Sequence, residues 1–339
     1  LLSLLLCCAL VLPLSACGEA KSTTQQIFAM DTVMDLTAYG KKADDGINAA
    51  ISIINSMDKL LDPENERSKT YEINHAMGSP VVVNEQIAKM LRTAQTVYER
   101  TNGAFDLTTY PLSKLWGFID QNYRVPSDAE IERLLPCVDM SKVQLAATDD
   151  SANSLVTMPA DMALSFGAVA KGCASDYAIQ AMRAAGVTSG VVSLGGNVQT
   201  LGKKPDGSDW NIAIQDPNDT GSYLGYLTVG ETAVITSGSY QRYFTEGGQK
   251  YHHILSPATG RPVNNGLLAV TIVCEDGTLA DCLSTAMFVL GPQAALNYWR
   301  TYGGFEMLLV KTDGHVVLTN GLYGQFTPNG DSYVVDYAS

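Results

Sequence analysis

The chain has 339 residues, which is enough for one large domain or two ordinary ones. Its 35 acidic and 22 basic residues give a formal net charge of −13, which argues against a protein that binds nucleic acid through phosphate contacts. An anionic ligand would therefore need a local source of positive charge, such as a metal ion, a few basic side chains or a helix N-terminus.

The first segment is an apolar run followed by small residues. It covers residues 1–16, is interrupted by Pro13 and leads to Cys17. The run is short for a membrane span and no second run follows it, so it predicts a signal peptide. The letters LSAC resemble the bacterial lipobox, which implies a lipid anchor on Cys17 at the outer face of the cell membrane. An ordinary secretory signal with a chance cysteine is the alternative. Residues 17–26 are then a linker, and we expect one domain over 27–339.

Strand and helix patterns alternate along the rest of the chain. The first half predicts a strand over 27–40, helices over 44–62, 84–103 and 127–138, a hairpin over 143–166, a helix over 169–186 and a strand over 187–202. The second half predicts strands over 210–217, 223–238, 251–255, 267–276, 305–319 and 332–337, and a helix over 284–303. Hairpins mixed with crossover helices predict an α+β fold, with a mixed or antiparallel sheet and flanking helices.

Two oxygen-bearing side chains near the last predicted helix could bind a cation. Asp281 and Thr285 are four residues apart, so both project from one helix face, where a hard cation could bind. The alternative is that Asp281 is a helix N-cap, because a carboxylate there accepts hydrogen bonds from unpaired backbone amides. Upstream, His252 and His253 are candidate ligands or acid/base groups, and packed or surface histidines are the alternative.

An aromatic loop after the second helix is a candidate flavin or base site. Phe105 and Trp116 could offer flat surfaces, with Asp106 between them as a hydrogen-bond acceptor. A packed loop with an aromatic anchor is the alternative. Farther along the chain, Lys171 lies in a glycine-containing turn at the start of a helix, an arrangement that suits a pyrophosphate. The turn matches neither the Walker A pattern nor GxGxxG, so a generic turn is the alternative.

Two further segments place glycine beside polar residues after apolar strands. They contain Gly195, Gly196 and Asn197 in the first and Thr236, Ser237 and Gly238 in the second. Glycine at such positions predicts a turn or a close backbone approach.

Eight motifs, in this order, resemble those of the FAD:protein FMN transferase family, the ApbE family. They are MDTVM, SKTYEIN, GAFDLT with PLSKLWGF, GAVAKGCASD, SLGGN, TSGSYQRYF, HHILSPATGRP and ADCLSTA. The resemblance implies an ApbE-like (T-fold-like) architecture and a magnesium-dependent transferase. Such an enzyme cleaves FAD, attaches FMN through a phosphoester to a Ser or Thr of a target flavoprotein, and releases AMP.

The resemblance also implies roles for individual residues. The implied Mg²⁺ ligands are Asp281, Ser284, Thr285 and the carbonyl of Ala168. The implied FAD contacts are Met30, Ala104, Phe105, Asp106, Ser165, Lys171 and Leu255, with Ser68, Tyr71 and Asn74 as peripheral candidates. His253 is the implied general base toward the acceptor hydroxyl, and Asp281 is the second implied catalytic residue.

Two departures and two alternative functions accompany the resemblance. Ser165 stands where the family usually has Asp, and Cys173 where an aromatic residue is common, so we expect altered FAD contacts with the metal ligands intact. The alternatives are an FAD pyrophosphatase, which yields FMN and AMP, and a flavin-binding lipoprotein without turnover. The implied partners are flavin-carrying subunits of NADH:quinone reductase or Rnf complexes, and the membrane through the lipid anchor.

Overall fold

The structure is a computed structural model that describes residues 21–338. The predicted signal peptide over 1–16 and the predicted lipidation site Cys17 lie outside the described residues. Within residues 21–338, no helix is both long enough and apolar enough to cross a bilayer.

Strands and helices follow one another along the whole described part of the chain. The strands are β1 (Ser22–Ala29), β2 (Thr32–Tyr39), β3 (Val81–Asn84), β4 (Gln144–Ala147), β5 (Asn153–Thr157), β6 (Gly190–Leu194), β7 (Asn197–Leu201), β8 (Trp210–Gln215), β9 (Tyr223–Val229), β10 (Ala233–Gly238), β11 (Tyr243–Glu246), β12 (Gln249–His252), β13 (Leu267–Cys274), β14 (Glu306–Lys311), β15 (His315–Thr319), β16 (Phe326–Pro328) and β17 (Val334–Ala338). The helices are α1 (Ala43–Leu61), α2 (Lys69–Asn74), α3 (Glu85–Arg100), α4 (Tyr110–Leu115), α5 (Asp128–Leu134), α6 (Ala170–Ala184), α7 (Gly277–Leu290) and α8 (Pro292–Tyr302).

A nine-stranded sheet runs through the molecule in the order β1-β2-β6-β7-β10-β13-β14-β15-β17. Neighbouring strands are antiparallel, except for the last pair, in which β15 and β17 are parallel. Smaller sheets have the orders β16-β9-β8, β3-β5-β4 and β11-β12. The predicted α+β class, with a mixed or antiparallel sheet and flanking helices, is confirmed.

The large sheet separates two apolar cores. On β10, Ile235 belongs to the main core under the helices, whereas its neighbour Val234 packs with the β8–β9 side, because successive strand residues point to opposite faces. Helices α1, α3, α6 and α7 contribute buried side chains to the main core, among them Ile54, Leu91 and Met287. Each helix therefore buries one apolar face on the sheet.

Several predicted elements are divided in the structure, among them the strands predicted over 223–238 and 305–319, which are β9 with β10 and β14 with β15. The strand predicted over 27–40 is a hairpin that already begins at Ser22, so the second half of the predicted linker 17–26 is strand β1. The helix predicted over 284–303 is two helices, α7 and α8, separated where Gly291 has a φ of 83° and Pro292 starts the next helix. The strand predicted over 187–202 is likewise the hairpin β6–β7.

Candidate functional site

Helices α6 and α7 meet at their N-terminal ends, where two glycines allow the contact. A Cβ atom on Gly172 would lie 2.1 Å from the Gly277 carbonyl oxygen, and one on Gly277 would lie 2.8 Å from the Gly172 carbonyl oxygen. A larger residue at either position would have to push a helix away, because the clash is with backbone. Each helix therefore brings its first amide groups next to side chains of the other.

Asp281 lies inside α7 and not at its beginning. The helix begins at Gly277, and its cap is Asp276, whose side chain accepts a hydrogen bond from the Leu279 amide at 2.9 Å. The interpretation of Asp281 as the cap of its own helix is therefore wrong. Asp281 is one turn farther along, and its side chain is available for other contacts.

The Asp281 carboxylate is buried and caps the neighbouring helix. It is 4% exposed, accepts a hydrogen bond from the Gly172 amide of α6 at 2.8 Å, and accepts another from Asn197 Nδ2 of β7 at 3.0 Å. Both donors are neutral, and among residues 21–338 no basic side chain forms an ion pair with Asp281. Its two oxygens retain lone pairs, because a carboxylate can accept about four hydrogen bonds.

A second buried carboxylate, Asp176 of α6, mirrors this arrangement. It accepts hydrogen bonds from the amides of Gly277 (2.8 Å) and Thr278 (3.0 Å) in the first turn of α7, and from Gln199 Nε2 of β7 at 3.0 Å. Unlike Asp281, it also forms an ion pair with Lys89 of α3, with Nζ and Oδ2 2.8 Å apart. Burial alone would raise the pKa of Asp176, but the Lys89 ammonium and these hydrogen bonds hold it below its usual value.

Hydroxyl groups surround the next turn of α7. Ser284 Oγ donates to the carbonyl oxygen of Asp281 at 2.9 Å, and Ser237 Oγ of β10 lies 2.8 Å from Ser284 Oγ and 3.2 Å from Thr285 Oγ1. Ala168 lies in the turn that leads into α6, four residues before Gly172. The predicted metal-binding residues are therefore grouped around the meeting point of α6 and α7.

These residues fit a magnesium ion by their chemistry. Within the described part of the chain, no group of three or more His, Cys, Asp or Glu side chains could hold a metal by itself. One buried carboxylate with neighbouring hydroxyl and carbonyl oxygens remains, and magnesium is usually bound by one or two carboxylates together with substrate phosphates. The oxygen donors present are therefore of the type that magnesium prefers, but they are fewer than its full set of ligands.

Positive charge gathers beside this region despite the acidic composition. Lys171 is the second residue of α6, directly before Gly172. Burial, as the largest cause, and the charges of Arg242 and Lys171 together lower the pKa of His253 to about 3. His253 is consequently neutral at physiological pH.

The two adjacent histidines differ in their hydrogen bonds. His253 Nδ1 lies 3.2 Å from the carbonyl oxygen of Arg242, which can only accept, so the network assigns the proton to Nδ1 and leaves Nε2 as an acceptor. His252 is buried, donates from Nε2 to the Val263 carbonyl oxygen at 2.8 Å, and accepts from the Ile254 amide at 3.3 Å. His252 therefore packs, whereas His253 retains a free ring nitrogen.

The predicted aromatic surface is wrong, because its side chains are buried. Phe105 is 1% exposed and Trp116 is 0% exposed, with its Nε1 donating to the Gly260 carbonyl oxygen at 2.8 Å. Leu255 packs in the same small core as Trp116. Of the residues predicted to contact FAD in this loop, only Ala104 is half-buried, whereas the side chains of Phe105 and Asp106 are buried.

Asp106 is also occupied within the protein. Its Oδ1 accepts hydrogen bonds from the amide and hydroxyl of Thr108 at 2.7 and 2.6 Å, and its Oδ2 accepts from the Met140 amide at 3.0 Å. Burial raises the pKa of Asp106 although these hydrogen bonds act in the opposite direction. Its side chain fixes the loop and does not act as a free acceptor.

Met30 and Ser165 both lie in tight turns. Met30 has a φ of 49°, is half-buried, and its amide donates to Asp58 Oδ1 at 2.7 Å. The Met30 turn lies beside the β6–β7 turn, because the Gly195 amide donates to the Val33 carbonyl oxygen at 3.2 Å. Ser165 Oγ accepts from the Gly167 amide at 3.2 Å, in the loop before α6.

Two of the three peripheral candidates, Ser68 and Tyr71, line a separate cavity. A cavity of 460 Å³ is lined by residues that include Ser68, Tyr71 and His75, and Asn74 forms two hydrogen bonds of 2.9 Å with the backbone of Leu164. A second cavity of 410 Å³ lies elsewhere, beside Glu306. Neither cavity is lined by the α6–α7 residues described above.

Sequence reasoning missed Asp176, Gln199 and Lys89 as members of this cluster. Asp176 and Gln199 are buried polar residues that bond each other at 3.0 Å, and Lys89 lies 87 residues before Asp176. Asn197 and Gln199 are two residues apart on a predicted strand, so their side chains point to the same face. Two amide side chains on one face of an otherwise apolar strand are the sequence pattern that could have indicated this cluster.

Comparisons with known proteins identify the family of this chain. Residues 30–309 match the model of the ApbE family. The chain belongs to the ApbE family. A curated relative from Klebsiella pneumoniae (strain 342), named FAD:protein FMN transferase, is 30% identical over 285 residues, which cover 84% of this chain and 87% of the relative. Another of that name, from Treponema pallidum (strain Nichols), is 29% identical over 326 residues, covering 91% of this chain and 90% of the relative.

Solved structures of ApbE proteins share the fold. The crystal structure of the ApbE protein from Thermotoga maritima has a TM-score of 0.83 and 30% identity, and the match covers 91% of this chain and 100% of that one. The apo form of the Pseudomonas stutzeri flavinyl transferase ApbE has a TM-score of 0.77 and 27% identity, covering 92% and 99%. The predicted ApbE-like architecture is therefore confirmed.

Proposed function

We propose that this chain is a magnesium-dependent FAD:protein FMN transferase, which moves FMN from FAD to a Ser or Thr hydroxyl of an acceptor flavoprotein and releases AMP. Relatives that align over most of the chain carry the transferase name. The main support for a metal ion in this reaction comes from Asp281, a buried carboxylate that accepts hydrogen bonds only from neutral donors among the described residues.

The contrast between the two buried carboxylates supports a cation at Asp281. Each accepts from the first turn of the other helix and from an amide side chain of β7, but only Asp176 has a basic partner, Lys89. A buried charge is costly unless it is paired or binds a metal. Magnesium would supply the missing charge at Asp281, and when bound it would neutralise the pyrophosphate as AMP leaves.

The basic residues have a separate part in this proposal. Lys171 lies at the N-terminus of α6, where helix amide groups and the helix dipole favour negative charge. With Arg242 it would hold the FAD pyrophosphate against the repulsion of a chain whose net charge is −13. This local charge is the remedy that the acidic composition requires.

His253 would accept the proton of the acceptor hydroxyl. Its Nδ1 is engaged with the Arg242 carbonyl oxygen, so Nε2 of the neutral ring is the free base. As the acceptor oxygen bonds to the phosphorus of the FMN half, the pyrophosphate bond breaks and the electron pair leaves with AMP. The proton passes from the hydroxyl to Nε2.

Flavin transfer is the direct test of this proposal. Full-length protein, FAD, Mg²⁺ and an acceptor flavoprotein domain should yield a protein band that fluoresces on a denaturing gel, together with one AMP per FMN transferred. EDTA or Asp281→Asn should reduce the rate at least about a hundredfold, because the phosphate charge is no longer neutralised. Unchanged rates in both cases would contradict the metal assignment, and free FMN without labelled protein would favour the pyrophosphatase.

We also propose a lipid anchor at Cys17 and acceptors in membrane redox complexes, such as subunits of NADH:quinone reductase or Rnf complexes. The lipobox-like LSAC supports the anchor, which would hold the enzyme at the extracytoplasmic face of the membrane. When cells that express the chain are grown with radiolabelled palmitate, the wild-type protein should become labelled. The Cys17→Ala protein should stay unlabelled and should no longer be found in the membrane fraction. A labelled Cys17→Ala protein would contradict the anchor.

A further inference from the structure

We infer that Asp176 is a positioning residue for the magnesium site at Asp281, an inference that rests on the proposed function. Asp176 would not touch the metal or the substrate. It would act by fixing the first turn of α7, the helix that carries Asp281.

The hydrogen bonds of Asp176 hold that turn at three points. Its carboxylate accepts from the Gly277 amide at 2.8 Å, the Thr278 amide at 3.0 Å and the Thr278 hydroxyl at 2.6 Å. Asp281 follows Gly277 by four residues and so lies on the same face of α7, one turn later. Any rotation or slide of the first turn would therefore move the Asp281 carboxylate.

Strand β7 supplies a hydrogen-bond donor to each of the two carboxylates. Asn197 donates to Asp281 at 3.0 Å, and Gln199, two residues along, donates to Asp176 at 3.0 Å. Both amides project from the same face of one strand, so they set the separation of the two carboxylates. A paired arrangement of this kind is more rigid than either hydrogen bond alone.

Lys89 keeps Asp176 from binding the metal itself. Its Nζ lies 2.8 Å from Asp176 and 3.2 Å from Asp276. Asp176 thus has a permanent cationic partner, whereas Asp281 has only neutral ones among the described residues. The two carboxylates can therefore lie close together with different tasks, one structural and one for the cation.

The crossing of the helices leaves little freedom for compensation. A Cβ on Gly172 would meet backbone at 2.1 Å, so α6 and α7 are already in contact where they cross. Loss of the Asp176 carboxylate would leave the Gly277 and Thr278 amides without this acceptor, so we expect the first turn of α7 to shift. Substitution of a residue that hydrogen-bonds to a metal ligand, or to the element that carries it, typically weakens metal affinity about tenfold to a hundredfold.

Mn²⁺ binding measures this effect without turnover. The free Mn²⁺ signal in electron paramagnetic resonance is titrated with full-length protein in the presence of FAD, for the wild type, Asp176→Asn and Asp281→Asn. We expect Asp281→Asn to abolish binding and Asp176→Asn to weaken it about tenfold or more. FAD affinity measured in EDTA should be the same in Asp176→Asn and the wild type.

Two further variants separate positioning from folding. Ser127→Ala removes the side chain of the capping box at the start of α5, where Ser127 Oγ lies 2.8 Å from Glu130 Oε2, so it lowers stability at a helix that makes no hydrogen bond or ion pair with Asp176, Asp281 or Lys89. It should bind Mn²⁺ like the wild type. Thr278→Val removes one donor to Asp176 in a side chain of similar shape, and should weaken Mn²⁺ binding about threefold even if Asp176→Asn fails to fold.

The outcomes distinguish this inference from the proposed function. If Asp176→Asn and Thr278→Val bind Mn²⁺ as tightly as the wild type, the positioning role is overturned, whatever the activity. If Asp281→Asn binds like the wild type, the metal lies elsewhere and the inference is overturned with it. If the wild type binds Mn²⁺ but transfers no FMN, the proposed transfer is wrong, while weaker binding by Asp176→Asn still supports the positioning role.

Discussion

His252 and His253 are neighbours in sequence, yet only His253 retains a ring nitrogen for chemistry. His252 uses both nitrogens, on the Val263 carbonyl oxygen and the Ile254 amide, whereas His253 uses Nδ1 alone. A sequence cannot distinguish them, because the difference depends on which backbone groups the β11–β12 hairpin brings near. Pairs of this kind are told apart only by their partners.

The low pKa of His253 makes stability depend on pH. Its value of about 3 in the folded chain is below the usual value near 6.5, so between these values the unfolded chain binds a proton that the folded chain does not. Stability therefore falls as the pH drops through this window. We expect the free energy of unfolding to fall less between about pH 7 and pH 5 in His253→Gln than in the wild type. Urea denaturation at both pH values measures the difference, and equal losses would contradict it.

The grouping of Asp281, Ser284 and Thr285 could be predicted from sequence, whereas the task of Asp176 could not. The first three share a helix face by their spacing alone. Asp176 is buried by contact with residues about a hundred positions later, Gly277 and Thr278. Nothing in a local pattern reports such a distant partner.

Elements in this protein begin and end where tertiary contacts outweigh local preference. Glycine and threonine form helices poorly, so the pattern predicted a later start for α7 than Gly277. Asp276 and Asp176 satisfy the amides of this first turn and make the early start possible. The β1–β2 turn was missed for a similar reason, because Met30 and Asp31 adopt φ values of 49° and 57° without the usual glycine or asparagine.

The crossing of α6 and α7 should tolerate no added methyl group. Gly172→Ala would place Cβ 2.1 Å from the Gly277 carbonyl oxygen, so we expect about 1–3 kcal/mol of destabilisation and weaker metal binding. Gly167→Ala is the matched control, because its Cβ would lie 3.5 Å from Ser165 Oγ, and we expect its stability within about 0.5 kcal/mol of the wild type. Thermal and urea unfolding compare the two variants. Equal stabilities would show that the helices can separate at little cost.

Across the whole molecule, the formal net charge is −13, whereas burial and the positive charges of Arg242 and Lys171 lower the pKa of His253. Screening by salt weakens exposed charge interactions at distances beyond about 10 Å at 0.1 M. Under the proposed function, added salt should therefore relieve the repulsion of FAD by the acidic surface and weaken a short contact of its pyrophosphate with Lys171 much less.

Lys171→Gln tests this local charge. We expect the KM for FAD to rise about tenfold, because one charge-assisted contact to the pyrophosphate is lost, with a smaller change in kcat. Lys42→Gln is the control, since Lys42 is exposed and pairs with Asp45 at 2.9 Å on the surface. Steady-state kinetics with varied FAD compare the variants. A KM that stays unchanged in Lys171→Gln would remove Lys171 from the FAD contacts.

The order of the nine-stranded sheet has a consequence for how such a protein can diversify. The strands of this sheet stand in the same order in the sheet as along the chain. All remaining segments are therefore connections that leave one strand of the sheet and return at its neighbour. The β11–β12 hairpin, which presents His253, is one excursion between β10 and β13, and α7, which carries Asp281, is part of another between β13 and β14. A relative could have a longer or reshaped hairpin with the same strand order and the same position of α7, so under the proposed function the acceptor site and the metal site can vary independently.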